Sequence, residues 1–148
     1  MKFIKLSIVF TLLFCGNAFS QSLKPLNQWV NENSNYLDSP GDQIYLLNRC
    51  AAVNAYISVI FHNNPKQSIA QTATGLYELF ANASVNISKN KLKIPNDDAL
   101  RAFTQNLINM ESLYKKDGEM NYARTGDYTT GYIFDDFSLC AKLGLKKE

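Results

Sequence analysis

Two widely separated cysteines place the strongest constraint on how this chain can fold. Cys50 and Cys140 lie far apart in a chain of 148 residues, and the third cysteine, Cys15, belongs to an apolar run near the start. Two lone cysteines in an oxidising compartment are expected to pair. A disulfide requires their Cα atoms to lie within about 7 Å, so the segments around Cys50 and Cys140 are predicted to be neighbours.

Residues 1–20 have the pattern of a cleavable export signal. Lys2 and Lys5 introduce positive charge, a short apolar run follows, and Ala18 and Ser20 supply small residues where a signal peptidase reads the chain. We therefore expect cleavage after Ser20 and a periplasmic or secreted protein. This prediction places Cys50 and Cys140 where a disulfide persists.

Two alternative interpretations of this segment have less support. An apolar run of about ten residues is shorter than the roughly 20 residues that a helix needs to cross a bilayer, so no transmembrane anchor is predicted. A lipid-modified Cys15 would need a small residue before it, and Phe14 is bulky. We expect Cys15 to leave with the signal.

The charge of the mature chain excludes one class of partner. Without Lys2 and Lys5, the 15 basic residues fall to the number of acidic residues, which is 13. Binding to nucleic acid requires a clustered positive face, so no nucleic-acid partner is expected. Apolar residues make up 46% of the chain, which is enough for a hydrophobic core.

The spacing of apolar residues predicts an all-α fold. A polar N-terminal segment at 21–38 has room for a short helix, and 39–148 is predicted to be a helical bundle domain. Ser39 can cap the first long helix, with Pro40 at its first position. Apolar residues then recur at steps of three and four through four helices. We expect a small up-down-up-down four-helix bundle, in which the first and last helices are adjacent and joined by Cys50–Cys140.

The third long helix is predicted to run from near Asn96 to Gly118. A glycine after a run of apolar residues commonly ends a helix, so residues 117–126 are assigned to a polar connection. Tyr114 lies at the end of the apolar stripe of this helix. We expect it at the rim of the core, with its hydroxyl reaching water.

The sequence predicts no catalytic site, metal site or cofactor. The single histidine, His62, lies twelve residues from Cys50 on one helix, about 18 Å along its axis, too far for a nucleophile–base pair. The motifs that attach haem or hold a di-iron centre are missing. Asp135 and Asp136 are adjacent on a helix, so their side chains diverge by about 100° and do not converge on one substrate.

Tyrosines provide a candidate interaction surface. Tyr122, Tyr128 and Tyr132 fall around the last connection, and tyrosine suits both the edge of a core and a protein interface. A second candidate is a pocket between helices, lined by Tyr56, Tyr77, Glu78 and Glu111.

Two functional hypotheses follow from these features. The first is a non-enzymatic accessory module of the cell envelope (an adaptor, inhibitor or chaperone-like protein) whose partner is another envelope protein. The second is a small-molecule-binding bundle or minor hydrolase that uses a pocket between helices. The sequence gives no oligomeric state.

Overall fold

The computed structural model describes residues 23–63, 65 and 67–145, so the predicted export signal at 1–20 lies outside the described residues. Within the described part of the chain, all regular structure is α-helical, which confirms the predicted fold class. The helices are α1 (Leu26–Glu32), α2 (Pro40–Phe61), α3 (Gln67–Asn90), α4 (Asn96–Thr125) and α5 (Tyr132–Leu145).

The helix α2 forms the centre of the bundle. It contacts α3, α4 and α5, whereas the short α1 packs on α5. Ser39 caps α2 as predicted, because its Oγ accepts a hydrogen bond from the backbone N–H of Asp42 at 3.3 Å. By length and composition α2 could also cross a bilayer, but just over half of that stretch is buried in the bundle, as in the core helix of a soluble fold.

The predicted disulfide between Cys50 and Cys140 is present. Their Cα atoms lie 5.4 Å apart, and both side chains are fully buried. The bond joins the middle of α2 to α5. Around it lies a core to which all five of these helices contribute, with members on α1 (Leu26), α2 (Val53, Ile57), α3 (Leu76, Phe80), α4 (Phe103) and α5 (Ile133).

The prediction that the third long helix ends at Gly118 is wrong. The helix α4 continues to Thr125 and ends at Gly126, whose φ of 76° is the left-handed conformation of a helix terminus. Gly118 is buried inside α4, and a Cβ atom there would collide with the hydroxyl of Tyr56. This glycine therefore serves close packing between α2 and α4.

A buried ion pair lies beside the disulfide. The guanidinium of Arg49 donates to the carboxylate of Asp136, and neither side chain is exposed to solvent. Arg49 is the residue before Cys50, and Asp136 lies one helical turn before Cys140. The charged pair and the covalent bond therefore link the same two helices, α2 and α5.

Four further groups complete the hydrogen bonding of this ion pair. Asp136 accepts from the Tyr114 hydroxyl at 2.6 Å and from the backbone N–H of Leu26 at 2.7 Å. Arg49 donates at 3.0 Å to the hydroxyls of Tyr114 and Tyr45 and to the carbonyl of Lys24. The network joins α1, α2, α4 and α5.

The expectation that Tyr114 lies at the rim of the core is wrong. Its side chain is fully buried, because its hydroxyl finds both a donor, Arg49, and an acceptor, Asp136, inside the bundle. Burial raises the pKa of the Tyr114 hydroxyl well above its usual value. Burial also raises the pKa of the Asp136 carboxyl, while the Tyr114 hydroxyl and Arg49 act in the opposite direction and favour the ionised form.

The helix α3 is attached to α2 by a different contact. The Ser84 hydroxyl donates to the Asn48 side-chain oxygen at 2.6 Å, and both residues are buried. Small buried residues on both helices allow the two backbones to approach closely elsewhere along the interface; they include Ala51, Ala52 and Ala73. The α2–α3 interface therefore does not depend on the ion pair.

We predict that Arg49→Met lowers the free energy of unfolding by about 3–5 kcal/mol, because it leaves the Asp136 carboxylate buried and unpaired. Urea denaturation followed by circular dichroism measures the change. The matched control is Arg101→Met, which removes an exposed ion pair with Asp98 and is expected to have a far smaller effect. The double variant Arg49→Met, Asp136→Leu is expected to recover part of the loss. Similar small losses for Arg49→Met and Arg101→Met would contradict the role assigned to the network.

Candidate functional site

A cleft lies beside the connection between α4 and α5, and we call it the loop cleft. Its volume is about 470 Å³, within the range of roughly 300–1,000 Å³ that is typical of ligand sites. The end of α2, the start of α3, the α4–α5 loop and the first turns of α5 contribute to it. The lining residues are Ile57, Phe61, Ile69, Asp127, Thr129, Thr130, Gly131, Phe134, Asp135 and Phe137.

The loop cleft combines aromatic and aliphatic walls with an acidic edge. Ile57 is buried, whereas Phe61 and Phe137 are half-buried at the border of the core. Phe134 differs, since 57% of its surface is exposed although it lines the cleft. An exposed aromatic ring at a concave site leaves apolar surface available for burial by a ligand.

Hydrogen bonds fix the shape of the loop that forms one wall. The carboxylate of Asp127 accepts from the backbone N–H of Thr129 at 2.8 Å and from its hydroxyl at 2.9 Å. The Asn121 side chain donates to the carbonyl of Thr130 at 2.9 Å. Gly131, with φ of 67°, lets the chain turn into α5. The loop cleft is therefore largely preformed, which lowers the cost of ordering on binding.

The structure brings together two of the three tyrosines predicted to form an interaction surface. The rings of Tyr122 and Tyr128 stack with centroids 4.2 Å apart, and Tyr122 is about half exposed. Tyr128 lies in the chain between Asp127 and Thr129, which line the loop cleft, although neither ring of the pair is part of its lining. Tyr132 is directed elsewhere: its hydroxyl donates to Asp117, and its ring lies 6.0 Å from that of Tyr114.

None of the four residues proposed for a pocket lines the loop cleft. Tyr56 is buried, with its hydroxyl 3.4 Å from the carbonyl oxygen of Tyr128. Tyr77 and Glu111 are half-buried, and Glu78 is exposed on α3. The loop cleft lies instead between the end of α2, the start of α3, the α4–α5 loop and α5.

Burial alters the acidity of two tyrosines near the site. Burial, with Tyr128, Glu119 and Asp127 nearby, raises the pKa of Tyr56 to about 12. Burial and the hydrogen bond to Asp117 raise the pKa of Tyr132 far above its usual value. Both hydroxyls therefore act as neutral donors at physiological pH and are unsuited to act as bases.

His62 lies at the end of α2, where it is exposed beside a separate shallow depression that includes Ser58 and Thr74. Cys50 is held in the disulfide and is not available as a nucleophile. Among residues 23–63, 65 and 67–145, no three histidine, cysteine or acidic side chains lie close enough together to hold a metal ion.

Sequence reasoning missed Phe134 and Asp135 as residues of the site. A local signal for Phe134 exists, because Ile133 and Phe134 are adjacent large apolar residues at the start of a helix. Their side chains diverge by about 100°, so a helix that packs with only one side on the bundle directs one of them into the core and the other away from it. The structure buries Ile133 and exposes Phe134. Nothing local indicates that Phe61 and Ile69, from other helices, would face Phe134.

No family model matches the chain, and no curated protein or solved structure matches it either. We therefore infer the function of the protein from the geometry of the site.

We predict that the protein loses stability at alkaline pH in a defined window. The pKa values of Tyr56, Tyr114 and Tyr132 are raised in the folded state, whereas an unfolded tyrosine ionises near pH 10. The contribution of these three hydroxyls to the free energy of unfolding is therefore fully present below about pH 10 and is lost as pH rises through their folded-state pKa values, which for Tyr56 is about 12.

Tyrosinate absorbance measures this behaviour directly. In the native protein, part of the absorbance change is expected only well above pH 10, together with unfolding. In denaturant, all eight tyrosines are expected to ionise together near pH 10. A native titration that coincides with the denatured one would contradict the burial assigned to these three hydroxyls.

Proposed function

We propose that this protein is exported and acts in the cell envelope as a non-enzymatic binding module, with another envelope protein as its partner at the loop cleft. The observation that carries the proposal is a preformed cleft with an exposed aromatic ring, Phe134, in its wall. The stacked Tyr122–Tyr128 pair, formed between the last turns of α4 and the α4–α5 loop, offers a second aromatic surface, with Tyr122 about half exposed. Aromatic residues at such positions supply much of the energy of protein interfaces.

The disulfide supports export. Structural disulfides persist in oxidising compartments and are rare where thiols are kept reduced. Cys50 and Cys140 are fully buried in the core, which is the setting of a structural bond. The pattern of residues 1–20 provides a route to such a compartment.

The side chains of the loop cleft support binding over catalysis. The hydroxyl of Thr129 and the carboxylate of Asp127 hydrogen-bond to each other and hold the loop in shape. His62 is not among the residues that line the cleft. An apolar wall with a polar edge is the usual composition of a recognition site.

A small-molecule ligand is the second candidate, and the volume of the loop cleft favours it. A cavity of about 470 Å³ could hold a compact apolar molecule without any protein partner. A photoreactive group placed at the cleft would distinguish the two functions, because it would crosslink a protein in the first case and no protein in the second.

Site-specific photo-crosslinking in cells that export the protein tests the proposal. A photoreactive phenylalanine analogue replaces Phe134, and a matched control places it at Leu100, which is also exposed and apolar. Leu100 lies near the start of α4, about 38 Å along the helix axis from Thr125 beside the loop cleft.

We predict a protein adduct of discrete mass from position 134 and none from position 100. Adducts of equal yield at both positions, or none at either, would contradict a protein-binding cleft. A small molecule that co-purifies with the native protein and is lost on Phe134→Ser, without any protein adduct, would favour the second candidate.

A further inference from the structure

The walls of the loop cleft restrict the part of a partner that can enter it. Phe61, Phe134 and Phe137 present rings, and Ile57 and Ile69 present branched aliphatic groups. These side chains offer few hydrogen bonds, so burying a polar side chain against them would be costly. An aromatic or branched aliphatic side chain is the group that gains most by entering.

The charges at the edge of the cleft restrict what may flank that side chain. Of the described residues that line the cleft, the two charged ones are both acidic, Asp127 and Asp135. Asp127 already accepts two hydrogen bonds from Thr129, so Asp135 is the carboxylate better placed to attract a cation of the partner. Asp135 is exposed in the first turn of α5, next to the ring of Phe134. Because Asp135 is exposed, its attraction for a cation is strongest at low ionic strength and is screened by salt.

On the basis of the proposed function, we propose that the partner segment seated in the loop cleft carries an aromatic or branched aliphatic side chain next to a lysine or arginine. The apolar side chain occupies the space between Phe61, Phe134 and Phe137. The neighbouring cation lies over Asp135. An acidic segment would bring like charges together at the edge and is disfavoured.

Short peptides test this chemistry without knowledge of the natural partner. The disulfide-bonded protein is titrated with Gly-Lys-Trp-Lys-Gly, with Gly-Glu-Trp-Glu-Gly and with Gly-Lys-Ser-Lys-Gly. Chemical shifts of the backbone amides of Thr130 and Gly131 report binding at the loop cleft by nuclear magnetic resonance. We expect the first peptide to bind about ten times more tightly than either of the others at low salt, and this preference to shrink at high salt.

Two variants show which residues of the loop cleft determine the affinity for the peptides. Asp135→Asn is expected to remove most of the preference for the basic peptide over the acidic one. The matched control is Asp97→Asn, which changes an exposed aspartate in the first turn of α4 and is expected to leave the preference unchanged. Phe134→Ser is expected to lower the affinity for the first peptide, Gly-Lys-Trp-Lys-Gly, at least fivefold.

Equal affinity for the basic and acidic peptides, or equal effects of Asp135→Asn and Asp97→Asn, would overturn the inference. If position 134 still crosslinks an envelope protein in that case, the proposed function stands and only the assigned chemistry is wrong. If the basic peptide binds as expected but position 134 captures no protein, the chemistry of the cleft is supported and the proposed protein-binding function fails.

Discussion

The buried ion pair between Arg49 and Asp136 is the interaction on which the arrangement of the helices depends most. Two charges removed from water are stable only when they pair and when their remaining hydrogen-bonding groups are satisfied. Asp136 meets that condition by accepting hydrogen bonds from the Tyr114 hydroxyl and the Leu26 backbone. Because each partner comes from a different helix, the electrostatic requirement fixes how α1, α4 and α5 meet α2. The position of α5 in turn fixes one wall of the loop cleft.

The disulfide and the ion pair stabilise the same contact in different ways. Cys50–Cys140 closes a loop of 90 residues and restricts the unfolded chain, for which the loop-entropy relation gives about 4–5 kcal/mol as an upper value. The ion pair between Arg49 and Asp136 also fixes the orientation of α5 on α2, because a misplaced α5 would leave two buried charges unpaired. The covalent bond therefore favours any state with α2 beside α5, and the ion pair selects one orientation among them.

The parts of this fold that could be predicted from sequence are those with local causes. The Ser39 cap, the apolar spacing along each helix and the pairing of Cys50 with Cys140 follow from chemistry within one helix or from the oxidation state of two residues. Gly118 could not be interpreted in this way, because a glycine at a helix end and a glycine under a tyrosine of another helix look alike in sequence.

The candidate site was not predictable for a related reason. The buried ion pair did leave a signal in the sequence. Arg49 and Asp136 follow the spacing of the core residues, and a charged residue at such a position indicates a buried charge that needs a partner. For the loop cleft, the adjacent Ile133 and Phe134 indicate one exposed ring but not what faces it. Phe61 and Phe134 come from helices distant in sequence, and their proximity depends on how α5 is oriented on α2.

The most direct test of this account is a thiol count on protein recovered from outside the cytoplasm, denatured without reducing agent. The account predicts a chain that lacks residues 1–20 and has no reactive thiol, because Cys15 has left with the signal and Cys50 is bonded to Cys140. Two reactive thiols per molecule, from Cys50 and Cys140, would contradict the covalent link between α2 and α5 and the export that we infer from it.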